Sequence, residues 1–295
     1  MREVFYSIGN PGRAALELPD GAPGSRSGPA DLELSAAALP GILIRAATTR
    51  GLLHRRHGTS RQDAFALSRR AAPGMNGEAS VVAVVCDGVG QFGRSDEAAV
   101  LVSRCLADLG ADGVPWPEAF ASANDQLRKA ADEVLATEDS DAIGDGMATT
   151  AVAVAVHREA GKWAGSAAWI GDSTVWHLSA DRKWALLTTT SEEEPEDFYH
   201  SSAVRPMPSA DGACSHREFQ LDGGALFVMS DGVSNPLKWS SEVQEVLADW
   251  WMRPPDAITF AAQVGFARKA HVDDRTVIGI WPAGGDADDD DCQQG

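Results

Sequence analysis

Several things are in short supply in this chain. Its four cysteines, Cys86, Cys105, Cys214 and Cys292, show no CxxC pairing, so no thiol pair is set up for metal or redox work. Lys and Arg number 25 against 43 Asp and Glu, and the formal net charge of −18 excludes a basic face for nucleic acid or anionic membrane. No apolar run approaches the roughly 18 residues of a membrane span, and Met1 to Tyr6 lacks the apolar core of a secretory leader. The expected location is cytoplasmic. GxSxG and the P-loop are missing, which removes serine-nucleophile and nucleotide-cradling chemistry. His54 and His57 have neither the spacing nor the glutamate of a zinc-protease helix.

Core-forming residues are plentiful. Hydrophobic residues make up 44%, with nine Trp and nine Phe, enough for one large or two small folded domains. Ten of the eighteen surplus negative charges lie in two short stretches without Lys or Arg, Glu192–Asp197 and Asp286–Asp291. Residues 1–40, rich in Gly, Pro and Ala, are expected to be extended or flexible, 41–282 to fold, and 283–295 to form an acidic disordered tail.

Apolar runs predict strands over Ile42–Thr48, from Ala64, and over Val81–Cys86, Thr149–Val156, Trp163–Ile170, Thr174–Leu178, Trp184–Thr189, Ala225–Ser230 and Thr276–Trp281. Helices are expected from Ser95 or Asp96 to Leu109, with Gly110 as the stop, and from Trp116 to about Thr137, with Pro117 in its first turn. Two more are expected over Glu242–Met252 and Asp256–Lys269. Strands joined by short turns and helices arriving in pairs indicate an α+β layering with antiparallel pairing.

Acidic residues mark the ends of these strands. Asp87 follows Val81–Cys86, Asp231 follows Ala225–Ser230, Asp63 precedes the strand at Ala64, and Asp273 precedes the last strand. One such Asp alone reads as a turn or cap residue. Several brought to one point repel each other unless cations lie between them, and carboxylate oxygens suit Mg²⁺ or Mn²⁺. Gly88-Val89-Gly90-Gln91-Phe92-Gly93 also spells the dinucleotide fingerprint GxGxxG. Asp87 beside a pyrophosphate and the lack of a second strand with an acidic end about 20 residues on count against it.

Asp87-Gly88-Val89-Gly90, Gly146-Met147-Ala148-Thr149-Thr150, Gly171-Asp172-Ser173, Ser230-Asp231-Gly232 and Asp273-Asp274-Arg275-Thr276 occur in that order. Together they resemble the metal-dependent Ser/Thr protein phosphatases of the PP2C type, over roughly residues 45 to 282. The opening Gly51-Leu52-Leu53-His54 with Gly58 and Gln62-Asp63-Ala64-Phe65 is similar to a bacterial branch of that family. The resemblance implies two stacked antiparallel sheets flanked by helix pairs. It implies a two-ion Mn²⁺ or Mg²⁺ site in which Asp87 bridges, Gly88 lends its carbonyl, Asp231 and Asp273 hold the first ion and Asp63 serves the second. Asp172 matches an optional third metal position. The implied reaction is attack of a metal-activated water on a phosphoserine or phosphothreonine, in signalling, with a phosphorylated protein as substrate and a cognate Ser/Thr kinase as counterpart.

The chain departs from the family pattern in four places. Gly58 stands where many members carry a phosphate-holding Arg, so Arg55, Arg56 and Arg61 are the candidates, Arg55 and Arg56 foremost. Gln62 replaces a Glu, Gln91 a Gly and Ala148 a Gly. A silent relative that binds phosphoproteins or regulates is the alternative function. The retained acids favour the enzyme.

Overall fold

The computed structural model describes residues 6–16, 29–70, 80–136, 145–159, 161–189 and 205–283. Two antiparallel sheets organise them. One runs, across its width, β1 (Leu32–Leu39), β2 (Ile42–Thr49), β11 (Arg275–Pro282), β10 (Ala225–Met229), β7 (Thr174–Leu178) and β8 (Trp184–Leu186). The other runs β3 (Ala64–Arg70), β4 (Ser80–Cys86), β5 (Ala151–Glu159), β6 (Lys162–Ile170) and β9 (Ser215–Asp222). Helices α3 (Ser95–Ala111) and α4 (Trp116–Leu135) cover the five-stranded sheet. Helices α5 (Asp231–Trp239), α6 (Ser241–Trp251) and α7 (Ala257–Val264) cover the six-stranded one. Two short helices, α1 (Arg13–Leu16) and α2 (Leu52–His57), complete the set.

The central strands are apolar throughout because both of their faces are covered. On β4, Val82, Val84 and Cys86 face the helices while Val81, Ala83 and Val85 face the other sheet. On β11, Val277 and Trp281 meet the helical layer and Ile278 and Ile280 meet the opposing sheet. The result is the expected four-layer sandwich, helices outside and sheets within. Among the described residues no helix is long and apolar enough to cross a membrane.

Several sequence expectations need correction. Leu32–Leu39 lies inside the stretch expected to be flexible, yet all eight residues pair with β2. Its Ser35-Ala36-Ala37-Ala38 run has little strand preference of its own, so the pairing with β2 decides. Ile8 is also buried, under the layer that contains α6 and α7. Gly110 does not end α3 but lies within the helix, where a Cβ would come within 2.9 Å of Trp116 Cη2. Helices α2 and α5 and strand β9 were not expected. The helix expected over Asp256–Lys269 ends at Val264, with Asp256 Oδ1 capping it by accepting from the Ile258 and Thr259 amides at 3.0 Å. The acidic stretch Glu192–Asp197 and the tail beyond residue 283 fall outside the described residues.

Trp251 holds the outer layer of the six-stranded sheet together. Its ring stacks on Phe227 at 5.3 Å, its Nε1 donates to Gln263 Oε1 at 3.1 Å, and its carbonyl accepts from Trp281 Nε1 at 2.7 Å. Trp251→Ala is expected to cost about 3–5 kcal/mol, read as a lowered urea midpoint. A loss below about 1 kcal/mol would show that the aromatic layer closes over the gap.

Candidate active site

Antiparallel pairing brings the strand-end acids to one end of the sandwich. Ala64 pairs with Cys86, so Asp63 and Asp87 leave the same end of the β3–β4 pair. Met229 pairs with both Val277 and Thr174, which places Asp231, Asp273 and the β6–β7 turn carrying Asp172 at one end of the other sheet.

Asp63 is the most enclosed of these acids, 2% exposed. Its Oδ2 accepts from Thr276 Oγ1 at 2.7 Å, while its Oδ1 is buried without a partner. Burial, then the charge of Asp274, pushes its carboxyl up to about 8 despite the lowering influence of the Thr276 and Ser230 hydroxyls. Asp87 is pushed well above the usual carboxylate range, first by burial and then by Asp63, Asp231, Asp172 and Asp273 in turn. Its backbone is pinned: the carbonyl accepts from Thr150 N at 2.8 Å and Thr149 Oγ1 at 2.9 Å. Gly88 is wedged so tightly that a Cβ would lie 2.8 Å from Gln62 Cβ and 2.9 Å from Ser95 Cβ.

Asp231 opens helix α5 and accepts from Asn235 Nδ2 at 3.1 Å. Burial, followed by Asp172 and Asp273, raises it to about 6. Asp172 is raised by burial and by Asp273. Asp273 is exposed, with Oδ1 accepting the Asp274 amide at 2.9 Å. Asp87 therefore stands within electrostatic reach of all four other acids singled out from the sequence.

The arginines divide. Arg61, 1% exposed, is fully committed to structure, donating to Ala30 O, Asp63 O and Glu33 Oε2 at 3.0, 2.8 and 3.0 Å. It is removed from the phosphate candidates. Arg55 is half-buried and Arg56 exposed, both on α2. Sequence reasoning passed over Asp274 and Arg275, the two buried charges beneath the acids. No local signal marked them: Asp274 stands just before β11 with a carboxylate oxygen within 4.8 Å of Asp273's and of a ring nitrogen of His54, and only its burial sets it apart. His54 Nδ1 lies 2.9 Å from Asp274 Oδ1. Burial opposes its protonation, but the bond to Asp274 and the charges of Asp274, Asp273 and Asp63 outweigh it and raise its pKa.

This clustering has a stability signature. Between its unfolded value near 3.8 and about 8, Asp63 keeps in the folded state a proton that the unfolded chain has released, so stability falls as pH rises. The loss approaches about 1.4 kcal/mol per pH unit per proton. His177 and His271, held below their usual pKa, work the other way only below about pH 6.5. In chelator, melting temperature is therefore expected to drop from about pH 6.5 to 8. Asp63→Asn should make the slope shallower, though not flat, because Asp87 and His54 titrate in the same sense. An unchanged slope in the mutant would assign the retained proton to another group.

The model of the family "Protein phosphatase 2C" matches residues 50–264, well over half of the chain, and stops short of Asp273. No curated protein matches the sequence. Among solved structures, the S. agalactiae serine/threonine phosphatase superposes with a TM-score of 0.55 at 16% identity, covering 85% of this chain and 99% of its own. The catalytic domain of the serine/threonine protein phosphatase PstP, solved in complex with 2 manganese ions, gives 0.53 at 19% identity, covering 83% and 99%. Phosphatase Stp1 from Staphylococcus aureus gives 0.51 at 16%, covering 85% and 99%. These likenesses confirm the sandwich fold, and the family match settles the kinship: the chain belongs to the protein phosphatase 2C family.

Proposed function

We propose that this phosphatase hydrolyses phosphoserine and phosphothreonine in proteins at the acidic end of the sandwich, with divalent cations held by Asp63, Asp87, Gly88, Asp231 and Asp273. The observation that carries the reading is the buried acid cluster itself. Asp63 Oδ1 has no donor, and Asp63, Asp87 and Asp231 are all held above the usual carboxylate range. Such a set is stable as carboxylates only with positive charge among them, and an all-oxygen set suits Mg²⁺ or Mn²⁺. Asp172 extends the set toward a third position.

Two such ions, when bound, would supply a nucleophilic water near neutral pH and charge for the phosphoryl oxygens. The chain's own part is orientation. Thr276 fixes one oxygen of Asp63 and leaves the other toward the cluster, and Asn235 turns Asp231. Thr149 and Thr150 hold the Asp87 backbone, so the acid most affected by its neighbours cannot swing away. Phosphate capture is assigned to Arg55 or Arg56, since Arg61 is buried against Ala30, Asp63 and Glu33. The substrate is a phosphorylated protein, with a Ser/Thr kinase as counterpart in cytoplasmic signalling.

Hydrolysis of an aryl phosphate and of a phosphothreonine peptide is expected to need added Mn²⁺ or Mg²⁺ and to vanish in chelator. Asp87→Asn should lose on the order of a hundredfold or more in kcat. Full turnover in excess EDTA would sink the metal reading. Replacing the true phosphate-binding arginine by Ala should raise KM about tenfold, or about 1.4 kcal/mol. If Arg55→Ala and Arg56→Ala both keep wild-type kinetics, the phosphate is held elsewhere.

A further inference from the structure

The residues that lead into β11 make separate contacts, although Asp273 and Asp274 offer carboxylate oxygens within 4.8 Å of each other and of a ring nitrogen of His54. Asp273 lies at the acidic cluster. Asp274, 2% exposed, turns inward: its Oδ1 accepts from Gly51 N and its Oδ2 from Gln62 N, both at 2.6 Å. Those two amides bracket the segment that delivers Asp63. Arg275, also buried, donates from Nε to Gly232 O at 3.1 Å and from Nη2 to His271 O at 2.6 Å. Its guanidinium lies over Phe266 at 4.7 Å. Gly232 directly follows Asp231.

Two further features show that these contacts are built in. In a regular helix the Gly232 carbonyl would accept from residue 236, but that residue is Pro236, which has no N–H to give. The carbonyl is thus left for Arg275. Backbones also approach so closely that only glycine fits. A Cβ at Gly51 would lie 2.3 Å from Asp273 C, and one at Gly232 would lie 1.9 Å from Asp274 O. Three chain segments that carry acids therefore meet at residues 273–275.

We propose that Asp274 and Arg275 are positioning residues that set the register of the acid cluster: Asp274 places Asp63 through the Gly51–Gln62 segment, and Arg275 places Asp231 through Gly232. The inference rests on the reading that these carboxylates hold the cations. It assigns each buried charge to one acid, so the two should act separately. A general loosening of the fold would not make that distinction.

The test is Mn²⁺ affinity by calorimetry on the full chain, in double-mutant cycles with Asp63→Asn. Asp274→Asn keeps its size but presents an NH₂ to one of the two amides. It is expected to weaken Mn²⁺ binding about tenfold when Asp63 is present. In the Asp63→Asn background it should cost less than about threefold, since the acid it places is already gone. Arg275→Met should cost about tenfold in both backgrounds, because it acts through Asp231. Arg275→Lys, which keeps the charge but cannot fork to two carbonyls, replaces it if the Met variant lacks a wild-type circular dichroism spectrum. Equal losses from Asp274→Asn with and without Asp63, or no loss from either buried charge, would overturn the proposal. A wild type that takes up no Mn²⁺ would instead overturn the reading of the site, and the inference with it.

Discussion

Repulsion between carboxylates is the constraint around which this molecule is arranged. Asp63, Asp87, Asp172, Asp231 and Asp273 come from separate places in the sequence, and most of them raise one another's pKa. Left to themselves, flexible side chains carrying these charges would separate. They do not, because each is fixed by a strand end, a tight turn or a helix start. The apolar sandwich behind them, with Trp, Phe and Val filling three layers, supplies the rigidity. Stability in the interior is thus spent on holding an unfavourable charge arrangement at one end.

The antiparallel topology makes that arrangement geometrically simple. In an antiparallel pair the end of one strand lies beside the start of its neighbour. Acids placed after β4 and before β3, or after β10 and before β11, are neighbours without any long loop to carry them. The two sheets stack, so the two groups of acids face each other across the same end. Buried hydroxyls and amides from the flanking segments then orient individual oxygens, as Thr276 does for Asp63.

The acids themselves were legible because a charged residue at the limit of an apolar run is conspicuous. What supports them was not. Helix α5 contains Gly232 and Pro236, both poor helix residues, and its opening Ser230-Asp231-Gly232 has the composition of a turn. Only the packing of Val233 and Leu237 into the helical layer reveals it. Strand β1 is alanine-rich and takes its conformation from β2. Arg61 stood among the phosphate candidates because its structural partners Ala30 and Glu33 lie about 30 positions earlier. Long-range partners of buried charges leave no local pattern. Asp274 is a further case: it stands beside Asp273 in the sequence, and only the fold shows the one buried and the other exposed.

The position of Arg61 has a consequence for where this protein begins. The stretch that matches the family starts at residue 50, and β1 lies wholly before it. Yet β1 carries Glu33, and Ala30 just ahead of it supplies a carbonyl, to a guanidinium whose third bond is to the backbone of Asp63. A fragment cut to the family's borders would lose β1, β2 and β11 with Asp273, and would strip Arg61 of Ala30 and Glu33 two residues before Asp63. Residues 30–49 are thus part of the enzyme's wall, and a folded unit of this chain is longer than its kinship alone suggests.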